Sequence, residues 1–268
     1  MFRLRGSIVL SCLLVFGGMV LHAASEPPNV HGASVILVDV QSGRVLYNRN
    51  SRAPRAVAST QKLLTALLVA EEGGLWNTVT IQPADTAAPP TKLYLKPGQT
   101  YSRFELLQAL LVKSANDVAC ALARDNAGSI EAFAEKMNRR ARQLGATSSH
   151  FINPNGLPAT GQFSTARDMA VIARNAYAHP ILRRIMATKS FEFHFSDGRV
   201  RELVNTNRVL RTASFCTGMK TGYTDAAGHC LVSSGQNNGH DVIAVVLGSN
   251  KARIWDDSRK LLEWGLRL

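Results

Sequence analysis

The chain has 268 residues, 46% of them hydrophobic, and no low-complexity tract, enough apolar side chain to bury a large core and too much for an intrinsically disordered protein. Its formal net charge is +12, yet no segment interleaves basic and aromatic residues as a nucleic-acid reader does. The expected electrostatic contacts are weak ones, to anionic lipid or wall polymers.

At the N-terminus Met1-Phe2-Arg3-Leu4-Arg5 precedes an apolar run from Ile8 to Leu21, then the small residues Ala23, Ala24 and Ser25. That is the layout of a secretory signal, too short for a comfortable membrane span. Residues 1–24 are read as a signal peptide and 25–268 as the mature chain, exported to the periplasm or beyond and soluble there. Cys120, Cys216 and Cys230 then remain, an odd set without metal-ligand spacing. Cys216 and Cys230 could flank one hairpin, but buried free thiols are the expectation.

Ala33 to Val40 and Arg44 to Tyr47 are β-rich runs around Gln41-Ser42-Gly43, a hairpin pattern. A helix is predicted to start at Ser59 and stop at Gly73-Gly74. After a proline-bearing stretch, Ser102-Arg103-Phe104-Glu105 is a capping box, and further helices are expected near Asp117–Asp125, Ile130–Leu144 and Ala166–Tyr177. Period two then returns in a hairpin around Asp197-Gly198. Three strands follow, Phe215–Lys220, His229–Ser234 and Val242–Leu247, and a last helix from about Ile254 to Leu266. Strands at both ends imply an α+β fold, with one sheet assembled from both termini and an all-helical subdomain inserted over about residues 75–185. A cleft is expected at that junction.

Ser59-Thr60-Gln61-Lys62 puts a hydroxyl and an amine three residues apart on one helical face. A serine nucleophile needs a base, and a helix N-terminus offers N–H groups where an oxyanion develops. Lys62 would have to be neutral near pH 7, which costs about 4 kcal/mol that burial and a second cation could enforce. Alone, this pattern reads first as a capping serine followed by a solvated lysine. Ser114-Ala115-Asn116 falls between two predicted helices, where helix capping competes with a cleft role. Lys220-Thr221-Gly222 ends a predicted strand, with a charge, a hydroxyl and a residue that lets an extended ligand lie close. The order Ser-x-x-Lys, Ser-x-Asn, Lys-Thr-Gly is a known signature of penicillin-binding proteins and class A β-lactamases.

With Asp39-Val40-Gln41-Ser42-Gly43, Leu95-Lys96-Pro97-Gly98, Asn153-Pro154-Asn155-Gly156-Leu157 and Leu261-Leu262-Glu263-Trp264-Gly265, the chain resembles the low-molecular-mass penicillin-binding proteins of the D-alanyl-D-alanine carboxypeptidase family. The resemblance implies a penicillin-binding-protein/β-lactamase-like, transpeptidase-like fold. It implies a hydrolase of peptidoglycan stem peptides, inhibited covalently by β-lactams, with neither metal nor organic cofactor. It also implies Ser59 as nucleophile, Lys62 as base and Ser114 as proton relay. Asn116, Lys220, Thr221 and Gly222 would bind substrate, and the backbone N–H groups of Ser59 and Tyr223 would form the oxyanion hole.

Two departures stand out. Many members continue into a β-rich domain and an amphipathic tail, whereas here the sequence stops at the last catalytic-domain helix, so no docking by that route is expected. Where some members carry a carboxylate-binding arginine, this chain has Trp255, with Arg253 two residues earlier, and neither is assigned that role. A D,D-endopeptidase would use the same residues, and a non-catalytic binder of wall peptides or β-lactams is a third reading. A class A β-lactamase is disfavoured because no Glu-x-x-Leu-Asn lies between Asn116 and Lys220. A Ser-His-Asp hydrolase lacks its Gly-x-Ser-x-Gly elbow, and His150, His179, His194, His229 and His240 read as loop or surface residues without partners.

Overall fold

The computed structural model describes residues 26–268 together with Phe2, so the expected signal segment lies outside the described residues. The chain opens with β1 (Ser34–Asp39) and β2 (Val45–Arg49), then a 3-10 turn, Ala58–Gln61, that runs into α1 (Lys62–Glu72). Two short strands, β3 (Thr78–Thr80) and β4 (Thr100–Ser102), bracket a single helical turn, α2 (Pro83–Thr86). Helices α3 (Arg103–Val112), α4 (Asn116–Ala127), α5 (Ile130–Leu144), α6 (Ala166–Ala178) and α7 (Pro180–Met186) follow. The hairpin β5 (Ser190–His194) and β6 (Val200–Val204) and the short α8 (Arg208–Thr212) lead to β7 (Cys216–Thr224), β8 (Gly228–Asn237), β9 (His240–Ser249) and α9 (Ile254–Gly265).

The main sheet has five strands in the order β2-β1-β9-β8-β7, all antiparallel, so its two halves do come from the two ends of the described chain. Its alternation builds two cores. Ile36, Val38, Val232, Ile243 and Val245 face the helices of the middle of the chain, while Val35, Leu37, Leu231, Ala244 and Val246 face α8 and α9. Helix α1 is buried along nearly its whole length, which fits an apolar sequence with no wet face. Helix α5 shows the opposite pattern, burying Phe133, Ala134, Met137 and Ala141 on one stripe. Ser129 caps its start by accepting from the Ala132 amide at 3.0 Å, and Gly145, left-handed at φ +91°, ends it. Among the described residues no helix is long and apolar enough to cross a membrane.

Several sequence expectations need correction. The predicted helix from Ser59 begins as α only at Lys62; Ser59 lies in the 3-10 turn. Strand β7 runs on through Thr224, so Lys220-Thr221-Gly222 sits inside a strand rather than at its exit. Asn116 is the first residue of α4, not part of a loop. His194, His229 and His240 are strand residues, and His240 Nε2 lies 3.0 Å from an Asp39 carboxylate oxygen. The cysteines need no correction: Cys120, Cys216 and Cys230 are free as expected, and the β7–β8 register puts Cys216 opposite Gly235 and Cys230 opposite Gly222, well apart along the hairpin.

Candidate active site

A cleft of about 490 Å³ opens between the free edge of β7, the 3-10 turn and the α3–α4 connection. Ser59, Ser114, Thr221, Gly222 and Tyr223 line it, so all three motifs meet at one place. Lys62 and Lys220 stand behind its wall, both with 0% exposure, and Asn116 is 3% exposed.

Lys62 Nζ is 2.8 Å from Ser59 Oγ, 2.7 Å from Asn116 Oδ1 and 2.6 Å from the Asn155 carbonyl oxygen. A neutral amine has two N–H bonds and one lone pair. With the two protons given to the Asn116 and Asn155 acceptors, the lone pair is left for the Ser59 hydroxyl. Burial pushes the Lys62 amine well below its ordinary value, and the positive charge of Lys220 pushes it further; Cys120 and Asp117 oppose this. The arrangement is that of a serine hydroxyl facing a base that is free to take its proton. The 3-10 turn serves the contact as well as an α-helix would, because residues three apart eclipse in it.

Backbone strain collects at the same spot. Ala58, just before the serine, has φ +48°, and Ser114 has φ +69°. Neither is glycine, so both are held in a sparsely populated region by their surroundings. The turn Asn153-Pro154-Asn155-Gly156 provides one support. Gly156 packs so tightly that a Cβ there would lie 2.1 Å from the Ala58 carbonyl oxygen. Gln61 Nε2 donates to the Asn153 carbonyl at 2.5 Å, and Thr65 Oγ1 to the Pro154 carbonyl at 2.7 Å.

Strand β7 approaches from the other side. A Cβ on Gly222 would lie 2.9 Å from the Ser59 nitrogen, so only glycine allows the strand this near the serine amide. Thr221 Oγ1 is 2.6 Å from Thr206 Oγ1, and Lys220 Nζ donates to the Thr221 carbonyl at 2.9 Å. Burial alone brings the Lys220 amine down to about 7.

Asn116 is held at both ends: its amide nitrogen donates to the Pro89 carbonyl at 2.9 Å while its oxygen faces Lys62. The next residue, Asp117, is fully buried and accepts from the Leu93, Tyr94 and Leu95 amides at 3.0, 2.9 and 3.2 Å, which ties the preceding loop to α4. The Ser114 hydroxyl lines the cleft but, among the described residues, has no hydrogen-bond partner. Sequence reasoning missed the Asn155 carbonyl, since a backbone acceptor leaves no side-chain signal. It also missed Thr206, Arg208 and His229 in the cleft wall. The His229 ring lies 4.5 Å from that of Tyr223, and burial, then the charge of Lys251, lower its value. Trp255 lines the cleft, whereas Arg253 does not.

The family profile described as D-alanyl-D-alanine carboxypeptidase, peptidase family S11, matches residues 21–251. The chain is 38% identical over 253 residues to D-alanyl-D-alanine carboxypeptidase DacB2 of Mycobacterium tuberculosis, covering 92% of this chain and 86% of that protein. It is 36% identical to DacC of Escherichia coli over 98% of this chain and 69% of the relative. Against DacF of Bacillus subtilis it is 33% identical over 81% of its own length, but spans only 57% of that relative. Among solved structures, a D-alanyl-D-alanine carboxypeptidase from Mycobacterium tuberculosis superposes with a TM-score of 0.86 at 35% identity, covering 92% of this chain and 95% of that one. A variant of a Streptomyces DD-transpeptidase superposes with a TM-score of 0.84 at 28% identity, over 90% and 100%. These matches carry the penicillin-binding, transpeptidase-like fold expected from the sequence, and with a profile and relatives that agree over most of its length, the chain belongs to the D-alanyl-D-alanine carboxypeptidase family, peptidase family S11.

Proposed function

We propose that the chain is a serine D-alanyl-D-alanine carboxypeptidase that removes the terminal D-alanine from peptidoglycan stem pentapeptides, and that β-lactams acylate the same serine. The observation that carries this reading is the buried Lys62 amine 2.8 Å from Ser59 Oγ, with its other contacts already taken by Asn116 and Asn155. Ser59 Oγ attacks the penultimate D-alanine carbonyl as Lys62 takes its proton. The C–N bond breaks, the terminal D-alanine leaves as its amine, and water then hydrolyses the ester to free the shortened peptide.

Ser114 relays the proton to the leaving amine, aided by the Lys220 charge. Asn116 binds the substrate amide. Lys220 and Thr221 take up the terminal carboxylate, and Gly222 lets an extended peptide lie along the strand edge. The Ser59 and Tyr223 amides form the oxyanion hole, a role that the closeness of Gly222 to the Ser59 nitrogen favours. The layout of residues 1–24 supports export to the periplasm, with 25–268 as the catalytic domain and its helical part over about 75–185.

The test is to incubate the protein with a stem pentapeptide and, separately, with a cross-linked dimer, and to label it with a fluorescent penicillin with and without Ser59→Ala. Release of D-alanine and a Ser59-dependent adduct are expected. Cleavage of the dimer alone would move the activity to a D,D-endopeptidase, and an adduct that survives Ser59→Ala would overturn the acyl-enzyme.

A further inference from the structure

A second cavity, of about 460 Å³, opens between α7 and the ends of β8 and β9, and it shares no lining residue with the cleft at Ser59. Asp241, the cross-strand partner of Gln236, gives one carboxylate oxygen to Arg183 at 3.0 Å, and the Arg183 guanidinium lies 4.3 Å over the Tyr177 ring. All four residues line the cavity. The other oxygen, Asp241 Oδ1, is buried and has no hydrogen-bond partner among the described residues. The Tyr177 hydroxyl is close enough to feel the Asp241 charge, yet its hydrogen bond runs to Thr217 Oγ1 at 3.3 Å, which in turn lies 2.8 Å from Ser234 Oγ. A carboxylate oxygen held out of water without a donor is unfavourable, and a donor supplied by a ligand would relieve it. Arg184, exposed in the same lining, has no carboxylate partner among the described residues, in contrast to Arg183. Val40, Pro180 and Ala187 add apolar surface.

From this pairing of an orphaned acceptor with an unpaired cation we infer that the cavity binds a short zwitterionic peptide, its ammonium donating to Asp241 Oδ1 and its carboxylate pairing with Arg184. An anion without the ammonium would leave Asp241 Oδ1 unpaired, and a cation without the carboxylate would meet Arg183 and Arg184. A guanidinium with free N–H donors is well shaped for a carboxylate. The volume falls within the roughly 300–1,000 Å³ of pockets that hold drug-sized ligands, more than one amino acid needs. The inference is independent of the acyl-enzyme reading.

The test is an NMR titration of the ¹⁵N-labelled Ser59→Ala protein, in which peptides stay intact. The probes are D-alanyl-D-alanine, its N-acetyl form, which lacks the ammonium, and its C-terminal amide, which lacks the carboxylate. Saturable shifts are expected at the amides of Thr217, Gln236 and Ala187, with about 10-fold weaker binding there for each blocked peptide. Arg184→Gln should weaken the dipeptide about 10-fold and erase its advantage over the amide form, while Arg184→Lys restores part of it. Asp241→Asn should erase the advantage over the N-acetyl form. Equal affinity for blocked and unblocked peptides overturns the assignment, as do shifts confined to Gly222 and Tyr223 in the catalytic cleft or the lack of any saturable shift. Failure of the carboxypeptidase reading would show separately, as wild-type protein that releases no D-alanine.

Discussion

Two lysines with 0% exposure lie close enough for the charge of one to depress the other, and their division of labour depends on which holds a proton. In the proposed mechanism Lys62 is neutral so that it accepts from Ser59, and Lys220 is charged so that it attracts a carboxylate. The pH profile of kcat/KM for D-alanine release is therefore expected to be bell-shaped, with an acid limb from Lys62 and an alkaline limb near 7 from Lys220. Lys220→Ala removes the cation that pushes Lys62 down, so the acid limb of residual penicillin acylation should move to higher pH. An acid limb that stays in place would show that burial alone sets the Lys62 value.

At the scale of elements, the site depends on how near β7 comes to the 3-10 turn. Gly222→Ala places a Cβ against the Ser59 and Thr60 nitrogens, at 2.9 and 3.0 Å, and backbone cannot yield as a side-chain tip can. A displacement of that kind should lower the penicillin acylation rate roughly 100-fold and lower stability by about 1–3 kcal/mol, read by stopped-flow labelling and thermal melts. An unchanged acylation rate would show that the strand has slack there.

What the sequence made legible follows from how each element is encoded. Helix α3 was plain because Ser102 with Glu105 marks its start by side-chain chemistry, and α5 because Gly145 marks its end with a left-handed residue; the Ser129 cap shows only in the fold. Helix α7 was hidden because Pro180 looks like a breaker, although at the first helical position its missing N–H and fixed φ are harmless. Strands β3 and β4 have three residues each, and α8 has five, too few for any period to show. The chemical motifs were visible as side chains at short spacings. The Asn155 carbonyl and the strained φ of Ala58 and Ser114 are properties of the folded backbone.

Across the whole molecule, the site is kept at the expense of stability. Lys62 and Lys220 are among the largest fully buried side chains, inside a protein whose other large buried side chains are mostly aromatic or aliphatic. In the unfolded chain Lys220 titrates near its ordinary value, and in the fold at about 7. Between those two values the unfolded state binds more protons, so stability should rise with pH above 7 and be lost as pH falls toward 7. The full swing for this one group is on the order of 5 kcal/mol. Lys220→Met is expected to be inactive yet more stable at neutral pH, with a flatter dependence of Tm on pH between 7 and 9. Equal slopes for the two proteins would show that the buried amine is relieved by other means.

Strand β7 ends the sheet, and its outer side is the one the cleft leaves open. An open strand edge is also where copies of a protein can zip together, a hazard that folds commonly blunt with basic side chains. Here Lys113 and Arg208 stand along that opening, and two molecules joined edge to edge would bring like charges face to face. Neutralising Lys113 and Arg208 together is therefore expected to bring concentration-dependent association, read by analytical ultracentrifugation, and a variant that stays monomeric would show that the edge is blunted by other means.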